Sequence, residues 1–198
     1  MILVLATRNT GKVKELTALM GGEEWDLRTC EAYQGCPVPE ETGATFLENA
    51  ILKATAIAGY TGEASLADDS GLEVDLLDGA PGVYSARYAG PDATDSANNA
   101  KLLHLLGDMP LLLRTARFRC AIAVSSPNGR VFTVEGTCEG RIGFVPRGSS
   151  GFGYDPLFIP TGFDQSFGEL GSAVKNTISH RARAFHAAAR RLASRPLS

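Results

Sequence analysis

Ala64-Ser65-Leu66-Ala67-Asp68-Asp69-Ser70-Gly71 joins a short apolar run to two adjacent carboxylates, a hydroxyl and a glycine. The run over residues 64–67 reads as a strand, and the Asp-Asp-Ser-Gly after it reads as the turn that ends it. Such a turn delivers both carboxylates to a sheet edge, where backbone and side chains converge on a ligand. Neighbouring aspartates repel, so the pair is costly to hold away from water without compensation, and a divalent cation removes that cost. The same residues also suit an ordinary solvated turn. The flanking segments decide between the two.

Upstream, residues 2–6 are continuously apolar, as in a strand buried on both faces. Thr7-Arg8-Asn9-Thr10-Gly11-Lys12 interrupts the run. A helix comes next, with Val13, Leu16, Leu19 and Met20 at helical spacing and Gly21-Gly22 as its stop. A strand, a polar loop and a helix N-terminus make a phosphate cradle, because free N–H groups and the helix dipole attract an anion and Lys12 adds a full charge. The loop lacks Walker A spacing. A second strand is predicted at residues 25–29, and then Gly35, Pro37 and Pro39 mark a connection. Thr45 and Glu48 have capping-box spacing before a helix whose Phe46, Ala50, Ala54 and Ile57 or Ala58 face the core. Asn49 and Lys53, four apart, share another face. Lys53 is an ordinary solvated charge unless that face meets the aspartates. Glu40 and Glu41 suit the helix N-terminus and could also supply a carboxylate to a metal shared with Asp69.

Downstream, residues 72–77 predict another strand and residues 78–82 a turn. A helix over residues 95–106, ended by Gly107, reads as scaffold. Residues 117–125 and 130–137 form an antiparallel pair around an Asn128-Gly129 turn. In Gly151-Phe152-Gly153-Tyr154-Asp155 the glycines permit close backbone approach, and Phe152 and Tyr154 offer flat faces. A nucleobase can sit between such rings while a carboxylate reads its edge; hydrophobic anchoring of the loop fits the same residues. Lys175 precedes Ser179, a good N-cap, and a helix with Ala182, Phe185, Ala189 and Leu192 inward. His180 and Arg181 stand in its first turn, where the dipole disfavours cations, which points to a ligand as their reason. Arg190, Arg191 and Arg195 complement the helix C-terminus.

The chain has 198 residues, 44% of them hydrophobic, enough for one substantial core or two small lobes, and a single domain over 1–198 is expected. A net charge of −3 argues against a nucleic-acid polymer as partner. Cys30, Cys36, Cys120 and Cys138 lack zinc or disulfide-scaffold spacing and read as reduced thiols of a cytoplasmic protein. There is no basic leader and no apolar run near the ~20 residues of a membrane helix, so no membrane association is expected.

Five segments, LATRNTGKVKE, EETGATFLENAILKA, ADDSGLEVDLLDGAPGVYSARYAG, GFGYDPLF and KNTISHRA, stand in the order and spacing of a known family. Across residues 3–184 the chain resembles the inosine triphosphate pyrophosphatases, specifically the bacterial dITP/XTP pyrophosphatases. The resemblance implies hydrolysis of ITP, dITP and XTP to the nucleoside monophosphate and pyrophosphate, with water attacking the alpha phosphorus. It implies magnesium as cofactor, with Asp69, Glu41 and Asp68 as metal carboxylates, Asp69 as proton acceptor and Lys53 facing the phosphates. Thr7, Arg8, Asn9, Thr10, Gly11 and Lys12 would hold the triphosphate, and Ser70 would touch substrate. Phe152, Gly153, Tyr154 and Asp155 would hold base and sugar, with Lys175, His180 and Arg181 completing the pocket. A homodimer is implied as well. The fold expected is α/β, an elongated mixed β-sheet flanked by helices, with two lobes and a nucleotide cleft between them. A septum-inhibitor-type pyrophosphatase that prefers modified pyrimidine nucleotides and a nucleotide sensor without turnover are the alternatives.

Overall fold

The computed structural model describes residues 1–20 and 25–194. The Gly21-Gly22 helix stop and Arg195 lie outside the described residues. Six strands, β1 (Ile2–Leu5), β2 (Asp26–Thr29), β3 (Ala64–Val74), β4 (Thr115–Ser125), β5 (Val131–Ile142) and β6 (Phe158–Pro160), form one sheet in the order β2-β1-β3-β4-β5-β6. The helices are α1 (Thr10–Met20), α2 (Phe46–Thr61), α3 (Asp95–Leu106), α4 (Phe167–Ile178) and α5 (His180–Ser194). β1 is parallel to both neighbours, with Leu3 opposite Leu27 and Ala64, while β5 and β6 are antiparallel, with Arg141 opposite Ile159. The sheet is therefore mixed, and the fold is α/β as expected.

The local causes are visible in the sequence. Asn9 caps α1: its Oδ1 accepts the Lys12 N–H (3.0 Å) and its carbonyl accepts the Val13 N–H (2.9 Å). α1 consequently starts earlier than the loop reading allowed, and Thr10, Gly11 and Lys12 belong to its first turn. Thr45 Oγ1 accepts the Glu48 N–H (3.1 Å), and the Glu48 carboxylate reaches back to the N–H of Ala44 (2.7 Å), one residue before the cap. Gly62, at φ 70°, closes α2 in the left-handed conformation.

β3 overturns the expected turn. Residues 68–71 lie inside one continuous 11-residue strand, and beyond Val74 the chain makes a single 3-10 turn, Asp75–Leu77, instead of a further strand. Turn propensity loses here to burial: every β3 residue except Ser70 and Glu73 is buried, and strand alternation sends the Asp68 and Asp69 side chains to opposite faces. Two carboxylates that do not share a face need not turn out to water.

The described residues divide into two compact units. The first takes in Met1–Asp69, Cys120–Gly136 and the described part of Ala182–Ser198, and its core joins Leu3, Leu5, Leu66, Ile122 and Val124 to Phe185 and Leu192 of α5. The second takes in Ser70–Arg119 and Thr137–Arg181, with Leu72, Val74, Leu102, Leu106, Phe118, Phe158 and Phe167 at its centre. There the Phe118 and Phe158 rings lie 4.6 Å apart, and Phe158 and Phe167 5.4 Å. β6 and α4 fall in a stretch to which apolar periodicity assigns no element. α4 nevertheless carries a capping box, Ser166 with Glu169, and Gly171 at φ 73° breaks its regularity.

One polar group is built into the second core. Arg114, 1% exposed, donates from Nε to Ile142 O (2.9 Å), from Nη1 to Gly107 O (3.0 Å) and from Nη2 to Gly143 O (2.9 Å). A planar guanidinium fits three carbonyls at once, and an ammonium does not. Arg114→Ala is expected to lower the unfolding free energy by roughly 3 kcal/mol or more, with Arg114→Lys recovering less than half. Urea titration measures this, and a loss below about 1 kcal/mol in Arg114→Ala contradicts it.

Candidate active site

In the first unit, α1 and α2 bring cations to the two aspartates. Lys12 Nζ lies 3.0 Å from Asp68 Oδ2, whose side chain has no exposed area. Lys53 Nζ lies 2.7 Å from Glu41 Oε1 and 3.4 Å from Asp69 Oδ1. Asn49, one turn before Lys53, donates to Asp69 Oδ2 (3.0 Å) and accepts the Gly43 N–H (2.8 Å). A Cβ at Gly43 would stand 2.7 Å from Asn49 Oδ1, so glycine lets the backbone approach. Lys53 is thus no solvated helix charge but 8% exposed and directed at Asp69. Glu41 joins this cluster while Glu40 is exposed. Asp68 stands apart, buried beneath Lys12. Asn49 is the member of the set that the candidate residues left out, although its pairing with Lys53 at four-residue spacing is visible in the sequence.

The phosphate-loop candidates are partly occupied with local structure. Thr7 Oγ1 accepts the Asn9 N–H (3.2 Å), and Arg8 Nη2 donates to the carbonyl of Cys36 (2.9 Å). All four cysteines are buried thiols, and burial pushes Cys30 up to about 11.

In the second unit, Arg181 Nη2 donates to Ser70 Oγ (2.9 Å) and Lys175 Nζ lies 2.5 Å from Asp155 Oδ2. The same Asp155 oxygen accepts the Phe152 N–H (2.9 Å). A Cβ at Gly151 (φ 81°) would fall 1.9 Å from that oxygen, which is why the loop turns on a glycine here. The Phe152 ring carries Lys175 Nζ 4.8 Å and Arg181 Cζ 5.5 Å from its centroid, within cation–π range. His180 is stacked on Phe118, 4.7 Å between centroids and 13° between planes. Phe118 is a contact that sequence reasoning missed, since nothing local distinguishes it from other core aromatics. Lys175, His180 and Arg181 are all buried.

Tyr154 departs from expectation. It is buried in the core and its hydroxyl donates to Ser85 O (2.9 Å), so its ring anchors the loop and offers no face to a base. Burial raises its pKa well above the ordinary tyrosine value. Of the two loop aromatics, only Phe152 keeps a part-exposed ring.

Among the described residues no group of three or more His, Cys, Asp or Glu forms a metal cage. Magnesium does not require one, because it is commonly held by one or two carboxylates with water and substrate phosphates. Glu41 and Asp69 are hard oxygen donors already gathered around one positive charge, Lys53 Nζ, and so fit such a site.

The fold and these two clusters define a class. The Ham1 family model matches residues 3–191, and the chain belongs to that family. It is 56% identical over 184 residues to a dITP/XTP pyrophosphatase of Desulforamulus reducens, covering 93% of this chain and 92% of that protein. It is 53% identical over 184 residues to one of Exiguobacterium sibiricum, covering 93% of both. Among solved structures, a HAM1 protein from Coxiella burnetii superposes with TM-score 0.89 at 40% identity, covering 98% of this chain and 100% of that one. The Staphylococcus aureus Ham1 protein gives 0.88 at 38%, covering 98% and 99%.

Charge in the first cluster is set by burial against pairing. Burial raises the Asp69 pKa above 3.8; Lys53 and Lys12 oppose this, Glu41 reinforces it, and the Asn49 hydrogen bond opposes it, with the net shift upward. Burial disfavours the Lys53 charge, but Asp69, Asp68 and Glu41 outweigh it and raise its pKa above 10.5. Native Asp69 therefore holds its proton more tightly than the unfolded chain does. Its contribution to stability is greatest below pH 3.8 and declines as pH rises from there through the folded value. In metal-free buffer, Asp69→Asn is expected to gain stability relative to wild type as pH climbs through that window. Urea unfolding at several pH values tests this, and a difference that is flat or moves towards wild type contradicts it.

Proposed function

We propose that this chain hydrolyses non-standard purine nucleoside triphosphates, ITP, dITP and XTP, to the nucleoside monophosphate and pyrophosphate. The observation that carries the proposal is the buried Asp69 carboxylate, held by Asn49 on one oxygen and Lys53 on the other, with Glu41 on the same lysine. The relatives named dITP/XTP pyrophosphatase support the substrate class.

Asp69 orients the attacking water and accepts its proton, and burial raises its pKa from the ordinary aspartate value, the direction that suits a proton acceptor. Lys53 keeps Asp69 and Glu41 in place and faces the phosphates. Thr7 to Lys12 supply backbone N–H groups and the α1 N-terminus to the triphosphate. Glu41 and Asp69 would hold magnesium, which when bound neutralises polyphosphate charge and lowers the pKa of a coordinated water. For the base, Phe152 provides a stacking face, and Lys175, His180 and Arg181 provide donors to a 6-oxo group. Adenine's amino group would leave such donors unpaired, at about 1–3 kcal/mol each. That polarity favours oxo-purines over ATP. The reading extends to a cytoplasmic homodimer, which the family resemblance carries. Among the described residues no helix is long and apolar enough to cross a membrane.

With magnesium, release of pyrophosphate from ITP, dITP and XTP, and little turnover of ATP, is the expected outcome. Asp69→Asn should reduce kcat by roughly 100-fold or more without loss of the circular dichroism of the fold. Orthophosphate as the product, or equal kcat/KM for ITP and ATP, overturns the reading. Tight ITP binding with no pyrophosphate favours the sensor.

A further inference from the structure

α3 reads as scaffold in the sequence, yet two of its side chains grip one residue of the base-handling loop. Asp95 and Asn99 are four apart on α3 and so lie on one face. Asp95 Oδ2 accepts the Gly153 N–H (2.6 Å), and Asn99 Nδ2 donates to the Gly153 carbonyl (3.0 Å). Both peptide planes flanking Gly153 are thereby fixed, at a residue that sits at φ 63° and whose lack of a Cβ leaves it free to rotate between Phe152 and Tyr154. Tyr154 is anchored through Ser85, and Phe152 N–H through Asp155, which also binds Lys175. The Gly153 grip, with the Asp155 N–H donated to the Phe152 carbonyl (3.3 Å), sets where the Phe152 ring stands relative to Lys175 and Arg181.

We propose that Asp95 and Asn99 are positioning residues for base recognition, acting through Gly153 on Phe152 and, with it, on the cations that lie over its ring. This rests on the proposed function, in which that loop and those cations read the base. The two side chains are not interchangeable. An N–H needs an acceptor and a carbonyl needs a donor, so Asp95→Asn keeps the required oxygen while Asn99→Asp sets a carboxylate against a carbonyl. A role in packing alone would treat these two isosteric changes alike.

The test compares wild type with D95A, D95N and N99D, in steady-state kinetics on ITP and ATP and in amide hydrogen exchange at Gly153. D95A and N99D should raise KM for ITP roughly tenfold and lower the preference for ITP over ATP by a similar factor, about what one lost hydrogen bond produces. Their kcat should stay within about twofold, since the grip does not touch the reacting phosphate. Gly153 exchange should accelerate about tenfold in D95A and N99D, and D95N should match wild type in both measurements. Unchanged KM and preference in D95A and N99D, or D95N failing as fully as D95A, overturns the proposal. Wild type that releases no pyrophosphate from ITP overturns the proposed function instead. The exchange measurement still judges the grip in that case: equal Gly153 exchange in wild type, D95A and N99D overturns it.

Discussion

A carboxylate in the middle of a buried strand is the constraint on which the rest of the first unit depends. Asp69 is 6% exposed, and burial without partners would drive it to neutrality. α2 opposes this by presenting an amide and an ammonium one turn apart, each to a different oxygen of Asp69. The helix must therefore begin where it does, which gives the Thr45 cap and the close approach at Gly43 a purpose beyond local stability. Lys12 does the same for Asp68 on the other face of β3. Two adjacent acids are tolerated because the strand separates them and two helices neutralise them individually.

The second unit handles its polar groups by the same logic. Lys175, Asp155 and the Phe152 N–H form one connected set, and the glycine at 151 exists because nothing larger fits beside the Asp155 carboxylate. His180 and Arg181, awkward at a helix N-terminus, gain an aromatic partner and a hydroxyl respectively. Lys175, His180 and Arg181 are held by fixed neighbours, so their polar groups are preorganised before any ligand arrives. In the proposed function, such donors would reject a base that cannot accept from them.

Much of this was legible residue by residue. The strand over residues 2–6, α2 with its buried face, α3 and the β4–β5 pair come from apolar periodicity and turn chemistry. The Asn49–Lys53 face, set by four-residue spacing, meets Asp69, and the basic residues opening α5 find an aromatic ring and a hydroxyl. β6 is three residues long and α4 is broken at Gly171, so neither presents enough period to be read. Tyr154 failed as a base platform because exposure is a property of packing: a tyrosine in a glycine-rich loop looks the same whether its ring faces solvent or the core.

By itself the sequence determined the chemistry available: which acids, cations and aromatics occur, in what order, and the local signals that start and stop most elements. Only the tertiary structure decided that Asp-Asp-Ser-Gly is strand and not turn, that Glu41 and not Glu40 meets Lys53, and that α3 reaches Gly153. Each of these depends on partners distant in sequence, because a buried charge or a buried peptide group is acceptable only where another element supplies the matching group.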